Sequence, residues 1–224
     1  MNRSTKVDKV KRLTPISCLF LDIGGVLLTD GWDHNARKRA AATFELNWSE
    51  LEELHRQAFE AFELGKLSMK EYLDLTVFHQ KRPFTRAQFR AFIFASSRPH
   101  SQMINWVQKL KEKYGLKLIV VSNEARELND YRIRTFKLHT FVDAFVSSCF
   151  VGLRKPDADI FRLALDISQV PIRQVLYVDN TPMFVQIAKG LGIRSVHHTD
   201  FKSTREIMAS CGLEDDQRAD HEIG

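Results

Sequence analysis

Ile16-Ser17-Cys18-Leu19-Phe20-Leu21-Asp22-Ile23-Gly24-Gly25 decides the fold. A short apolar run closed by an aspartate and a Gly-Gly turn reads as a buried strand that presents a carboxylate at its carboxyl end. Three later stretches fit the same plan. Ser122-Asn123 follow the run Leu116-Lys117-Leu118-Ile119-Val120-Val121, Lys155 sits in Arg154-Lys155-Pro156-Asp157, and Asp179-Asn180 follow Val175-Leu176-Tyr177-Val178. In an open α/β sheet the ligand site lies outside the carboxyl ends of the parallel strands, so polar residues far apart in sequence meet there.

Helical signals separate these strands. Ile104, Val107, Leu110 and Tyr114 recur at steps of three and four, and Gly115 supplies the stop. Asp157 is placed to cap a helix over 158–166, and Val185, Ile187, Ala188 and Leu191 mark another that ends near Gly190. Strands alternating with helices predict a doubly wound parallel α/β sheet. The stretch 31–100 differs. It carries three Ser/Thr-x-x-Glu/Gln signatures, Ser49 to Glu52, Ser68 to Glu71 and Thr85 to Gln88, and an Ala40-Ala41-Ala42 run in a further helix over 37–46. With no strand-like alternation, it is expected to be an all-helical insert whose Phe59, Phe62, Phe89, Phe92 and Phe94 form its core. The expected division is a core of 15–30 and 101–213, a helical unit of 31–100, and tails of 1–14 and 214–224.

Bulk properties narrow the function. A chain of 224 residues with 44% hydrophobic content can bury a full core and a smaller second unit. The formal charge of +5 suggests an acidic partner until it is divided along the chain. Residues 1–14 hold five Lys/Arg against one Asp, and residues 214–224 hold one Arg against five Asp/Glu, so the ends cancel. No nucleic-acid reading motif accompanies the charge, and none is expected to bind. Cys18, Cys149 and Cys211 are odd in number and widely spaced, which predicts reduced thiols in a cytoplasmic protein. No run reaches the ~18 apolar residues of a membrane span, and the basic start before Leu13–Leu21 is rejected as a leader because Pro15 and Ser17 break it.

The order Asp22, Ser122-Asn123, Lys155-Pro156, Asp179 resembles the four motifs of the haloacid dehalogenase superfamily, from Asp22 on into Gly190-Leu191-Gly192-Ile193. The resemblance implies a Rossmann-like core with a helical cap inserted after the first strand. It also implies a magnesium-dependent phosphomonoester hydrolase that acts on a small phosphorylated metabolite through a phospho-aspartate at Asp22. Asp22 and Lys155 are then the catalytic pair. Ser122, Asn123, Lys155, Gly24 and Gly25 would hold phosphate, and Asp22, the carbonyl of Gly24, Asp179 and Asn180 would hold Mg2+.

One departure matters. Phosphatases of this kind usually carry a second aspartate two residues after the nucleophile, and here that residue is Gly24, as in some phosphatases with an Asp-x-Gly first motif. General acid help is thereby removed, unless Asp33 or His34 in the insert supplies it. Two alternatives stand beside the phosphatase: a 2-haloacid dehalogenase, whose halide leaves unprotonated, and a non-catalytic phosphate-binding protein. Against the dehalogenase, an Asp179 beside the nucleophile without a cation would only add repulsion. Trp32, His34 and Arg37 are candidates for substrate contact by position. His197-His198 read as surface and packing residues, and Gly190-x-Gly192 as a helix stop.

Overall fold

The computed structural model describes residues 14–215. Of the expected tails, 1–14 and 214–224, residues 1–13 and 216–224 lie outside the described residues. Glu214 and Asp215, read with the C-terminal tail, are held: the Tyr114 hydroxyl donates to the Glu214 carbonyl at 2.9 Å, and Asp215 pairs with Arg205 at 2.8 Å.

Five strands form one parallel sheet. They are β1 (Cys18–Leu21), β2 (Lys117–Ser122), β3 (Ala144–Ser147), β4 (Val175–Asp179) and β5 (Arg194–His197), in the spatial order β3-β2-β1-β4-β5. Leu21 stands opposite Val120 on one side and Val178 on the other, so β1 is central. The chain builds outward from β1 through β2 to β3, then returns to the other side of β1 for β4 and β5. That reversal is the switch point at which such sheets open a crevice.

Successive side chains of a strand face opposite ways, and both faces here are buried. Leu19, Leu21, Leu118, Val120, Leu176 and Val178 face α5 (Ser101–Tyr114), which contributes Trp106, Val107 and Leu110. Cys18, Phe20, Ile119, Val121, Val175 and Tyr177 face α8 (Ala158–Ser168) and α9 (Pro182–Gly190), through Ile160, Phe161 and Ala188. The expected stops hold: Gly115 closes α5 at φ 62°, and the Asp157 carboxylate accepts the Asp159 amide at the head of α8.

Between β1 and α5 the described chain is helical. It runs through α1 (His34–Thr43), α2 (Trp48–Glu63), α3 (Met69–Thr76) and α4 (Arg86–Ala95). Ser68 and Thr85 form full capping boxes with Glu71 and Gln88. Ser49 does not. Asn47 caps α2 instead, accepting the Glu50 amide at 3.0 Å, because the helix already begins at Trp48 and Ser49 lies within it; Glu52 pairs with Arg37. Ala36, Ala40 and Ala41 pack inward with Leu51, Tyr72, Phe89 and Ile93, whereas Ala42 is exposed. Phe62 and Phe89 are in this core, with Phe92 and Phe94 partly buried against it. This second core also takes in Leu128 of α6 (Arg126–Thr135), so the helical layer is seated on the sheet domain. The remaining helices are α7 (Ser148–Val151) and α10 (Phe201–Ser210).

Candidate active site

Asp22 is the first residue beyond β1, 7% exposed, and its carboxylate accepts the Ile23 amide at 2.9 Å. Lys155 arrives from the loop between α7 and α8 and is 1% exposed. Its Nζ lies 3.1 Å from Asp22 Oδ1 and 2.6 Å from Asp179 Oδ2, so one ammonium bridges the residues that end β1 and β4. Phe184 lies under the same ammonium, its ring centre 4.9 Å away. Asp179 is fixed from both sides. Its Oδ1 accepts the Thr181 amide at 2.6 Å, and its Oδ2 accepts the hydroxyl of Tyr177, two residues back on the same face of the strand.

The electrostatics follow from burial. Two carboxylates share one ammonium in a largely buried site, leaving uncompensated negative charge. Burial pushes the Asp22 carboxyl up to about 7, with Lys155 pulling it down and Asp179 pushing it further up. For Lys155 burial opposes the charge, but Asp22 and Asp179 outweigh it and hold its pKa above the ordinary lysine value. The available donors, Asp22, Asp179, the Asn180 amide and the Gly24 carbonyl, are hard oxygens with surplus negative charge, a set that fits magnesium. Among the described residues no cluster of three or more His, Cys, Asp or Glu side chains surrounds a metal position. Magnesium, which keeps several waters, does not require one.

The residues expected to hold phosphate divide. Ser122 is buried at the end of β2, its hydroxyl 3.3 Å from Glu124 Oε1 and within reach of Asp22. Asn123 has a second engagement: its amide is tied reciprocally to the Lys155 backbone, donating to the carbonyl and accepting the N–H, each at 2.8 Å. It therefore holds the lysine loop in place and has one amide proton left for a ligand. Gly25 is held at φ +71°, and a Cβ there would come within 1.9 Å of the Asn180 amide nitrogen. Only a bare residue lets Asn180 close over the turn.

Asp22, Ser122, Asn123, Lys155 and Asn180 line a cavity of about 340 Å³ roofed by Trp32, Phe59 and Phe62. Phe59, expected in the insert's core, is instead a lining residue beneath the Arg154 guanidinium, 5.0 Å from its ring centre. Trp32 lines the cavity too, its indole N–H donating to Tyr72 at 2.9 Å, and Arg37 is locked to the Trp32 carbonyl at 2.8 Å and to Glu52. His34 is 61% exposed, pairs with Glu52 and does not line the cavity. Asp33 lines it, but its carboxylate caps α1 by accepting the Ala36 amide at 2.7 Å. A larger hollow of about 790 Å³ on the far side of the linker shares Asp30, Asp33 and Asn180 but none of Asp22, Ser122 or Lys155.

A profile of the haloacid dehalogenase-like hydrolases matches residues 16–192, most of the chain. The chain belongs to that family. It is 29% identical over 188 residues to drimenol cyclase drtB of Aspergillus calidoustus, covering 81% of this chain and 34% of that protein. It is 32% identical over 88 residues to a pyrophosphatase of the PpaX type from Caldanaerobacter subterraneus, covering 39% of this chain and 40% of that one. The chain thus spans about a third to two fifths of the curated relatives it matches. Among solved structures, a haloacid dehalogenase family enzyme of Bacteroides thetaiotaomicron superposes with a TM-score of 0.71 at 17% identity, over 87% of this chain and 99% of that one. The same enzyme in complex with magnesium and inorganic phosphate gives 0.68 at 18% identity, over 84% and 98%. An L-2-haloacid dehalogenase gives 0.58 at 19%, over 81% and 86%. These likenesses concern the fold.

This hydrolase also holds groups that the sequence reading missed. Asp30 lines the same cavity, donated to by Asn180 Nδ2 at 3.2 Å, and its Oδ1 lies 3.3 Å from where a Cβ on Gly24 would stand. Burial raises the Asp30 carboxyl, with Asn180 opposing. Nothing in the run Val26-Leu27-Leu28-Thr29-Asp30 signals this return, since it depends on the turn bringing residue 30 back over residue 24. Tyr177 had a signal: it stands two residues before Asp179 in a strand, hence on the same face. His197 and His198 are packing residues, the first near the Asn180 carbonyl at 3.1 Å and the second near the Thr204 hydroxyl at 2.7 Å.

Proposed function

We propose that this hydrolase cleaves phosphate monoesters of small metabolites with magnesium, by transfer to Asp22. The observation that carries the reading is the single buried Lys155 ammonium shared by Asp22 and Asp179 at 3.1 and 2.6 Å. A bound magnesium ion, held by Asp22, the Gly24 carbonyl, Asp179 and Asn180, would neutralise the phosphoryl oxygens so that an anionic nucleophile can approach.

Asp22 then attacks phosphorus, a P–O bond to its carboxylate forms, and the bond to the departing oxygen breaks. Lys155 and the Ser122 hydroxyl face the transferring group and oppose its charge. The departing oxygen needs a proton, and in this reading Asp30 gives it, a reading supported by its Oδ1 lying 3.3 Å from where a Cβ at position 24 would stand. In the second half, water attacks phosphorus, its proton passes to Asp30, and inorganic phosphate leaves with the Asp22 carboxylate restored. Asp30 replaces Asp33 and His34 in this role, since Asp33 is committed to capping α1 and His34 faces solvent.

The dehalogenase alternative is less well supported. Asp179, brought to the same ammonium as the nucleophile, would repel a carboxylate attacking carbon and gives that reaction nothing. A panel of acyl, aryl, sugar and alkyl phosphates with and without magnesium tests the reading. Magnesium-dependent phosphate release is expected. Turnover of chloroacetate by an EDTA-treated sample, with no phosphate released from any ester, would replace it.

A further inference from the structure

Arg132 of α6 is 1% exposed and is the bulkiest of the wholly buried side chains. It lines the cavity beside Glu124, and its hydrogen bonds go to none of Asp22, Lys155 or Asp179. Its Nη1 donates to Glu124 Oε1 at 2.6 Å, its Nε to the Ser97 hydroxyl at 3.0 Å, and its Nη2 to the Thr29 carbonyl at 3.1 Å. Thr29 and Ser97 lie on the two chain segments that leave the sheet domain for α1 and return from α4. Those segments are already joined to each other. The Thr29 amide donates to the Arg98 carbonyl at 2.9 Å, the Arg98 amide to the Thr29 hydroxyl at 3.0 Å, and that hydroxyl to the Ser96 carbonyl at 2.8 Å. They form a two-stranded ribbon, and the guanidinium fastens both strands of it to α6 and to Glu124.

The fit is close enough to constrain the sequence. Gly31 sits against the guanidinium at φ +77°, and a Cβ there would fall 1.7 Å from Nη2. A buried ion pair of this kind contributes little net stability, because desolvating two charges offsets their attraction. What the planar fork does supply is direction: three bonds on three elements fix one orientation of the ribbon. Glu124 also stands next to the Ser122-Asn123 pair and accepts the Ser122 hydroxyl at 3.3 Å. The ribbon and the loop after β2 are therefore anchored to the same carboxylate.

We propose that Arg132 is a positioning residue that clasps both linkers to α6 and so sets the attitude of α1–α4 over the catalytic cavity. Because those helices supply Phe59 and Phe62, and the linker supplies Trp32, the clasp acts on substrates whose leaving group reaches this roof. Small acyl phosphates would not sense it.

Two variants test the clasp, Arg132→Lys, which keeps a charge opposite Glu124 but loses the fork, and Ser97→Ala, which removes one partner. Amide hydrogen exchange of the full chain is read at Thr29, Trp32, Ser97 and Arg98, with strand amides of β1 and β2 as reference. Ser97→Ala is expected to speed exchange at the linker amides about fivefold, the worth of one ordinary hydrogen bond, and Arg132→Lys more than about tenfold, with the strand amides unchanged. Kinetics use two probes. The KM for p-nitrophenyl phosphate is expected to rise in both variants, more in Arg132→Lys than in Ser97→Ala, while Ser97→Ala leaves acetyl phosphate hydrolysis within about threefold of the parent. Uniform acceleration across linkers and strands, parent rates at the linkers in Arg132→Lys, or equal effects on the two esters would overturn the proposal. Should the parent hydrolyse neither ester, the phosphatase reading fails while the exchange measurement still judges the clasp.

Discussion

At the scale of single residues, Gly24 and Asp30 belong together. A Cβ at position 24 would crowd the Asp30 carboxylate at 3.3 Å, so the bare backbone of one makes room for the acid of the other. Asp30→Asn is expected to split substrates by leaving group. Alkyl phosphates should lose on the order of 10²-fold or more in kcat/KM, the usual contribution of a general acid, and acetyl phosphate much less, because acetate leaves without a proton. A series of esters graded in leaving-group basicity gives the slope. A uniform fall across the series would mean that Asp30 acts only through Asn180. Gly25 makes a second case: Gly25→Ala forces a Cβ into the Asn180 amide, 1.9 Å away, at a φ of +71°. The expected result is a rise in the magnesium concentration needed for half-maximal stabilisation against heat, read by calorimetry without substrate. An unchanged requirement would separate Asn180 from the metal.

Among elements, capping and strand burial carry the fold. Ser68 accepts the Glu71 amide at 3.2 Å while Glu71 reaches back to the Ser68 amide at 2.8 Å, so Ser68→Ala should cost about 1 kcal/mol in urea unfolding, with activity unchanged. A change below the error of the titration would show that α3 owes its start to packing alone. β1, β2 and β4 were legible in the sequence because central parallel strands are buried on both faces and read as continuous apolar runs. β3 was not read. Its four residues, Ala144–Ser147, sit at the sheet edge and only Val146 and Ser147 are buried. The charge-rich α6 hides its role for a related reason: Arg132 and Asn129 face inward, against the ordinary sense of hydrophobic patterning. The same logic divides the site. Asp22, Lys155 and Asp179 stood out because strand ends and turns mark them in sequence, whereas Asp30, Glu124 and Arg132 gain their places only when distant segments fold together. The capping signature over Ser49 misled because α2 already starts at Trp48 behind Asn47, which leaves Ser49 inside the helix.

For the whole molecule, the helical layer carries a half-buried histidine with consequences for acid stability. The Trp32 indole donates to Tyr72 at 2.9 Å, and the Tyr72 hydroxyl stands 2.7 Å from His55 Nδ1. Burial, with Arg37 beside it, pushes His55 down to about 4 from the ordinary 6.5. In the unfolded chain the imidazole takes up its proton near the ordinary value, so stability is full above about pH 6.5 and falls as pH drops towards 4. The loss from this group is roughly 2–3 kcal/mol, and His55→Gln should flatten that part of the curve in urea titrations at successive pH values. An equally steep fall in His55→Gln would assign acid sensitivity elsewhere. The central claim, that Asp22 itself takes the phosphoryl group, has a more direct test. The protein is mixed with acetyl phosphate and magnesium, quenched in acid within a turnover, digested and weighed. One phosphoryl group is expected on the peptide that contains Asp22, absent in Asp22→Asn and absent when magnesium is chelated. Turnover that proceeds with the phosphoryl group on another peptide, or undiminished in Asp22→Asn, would contradict the account.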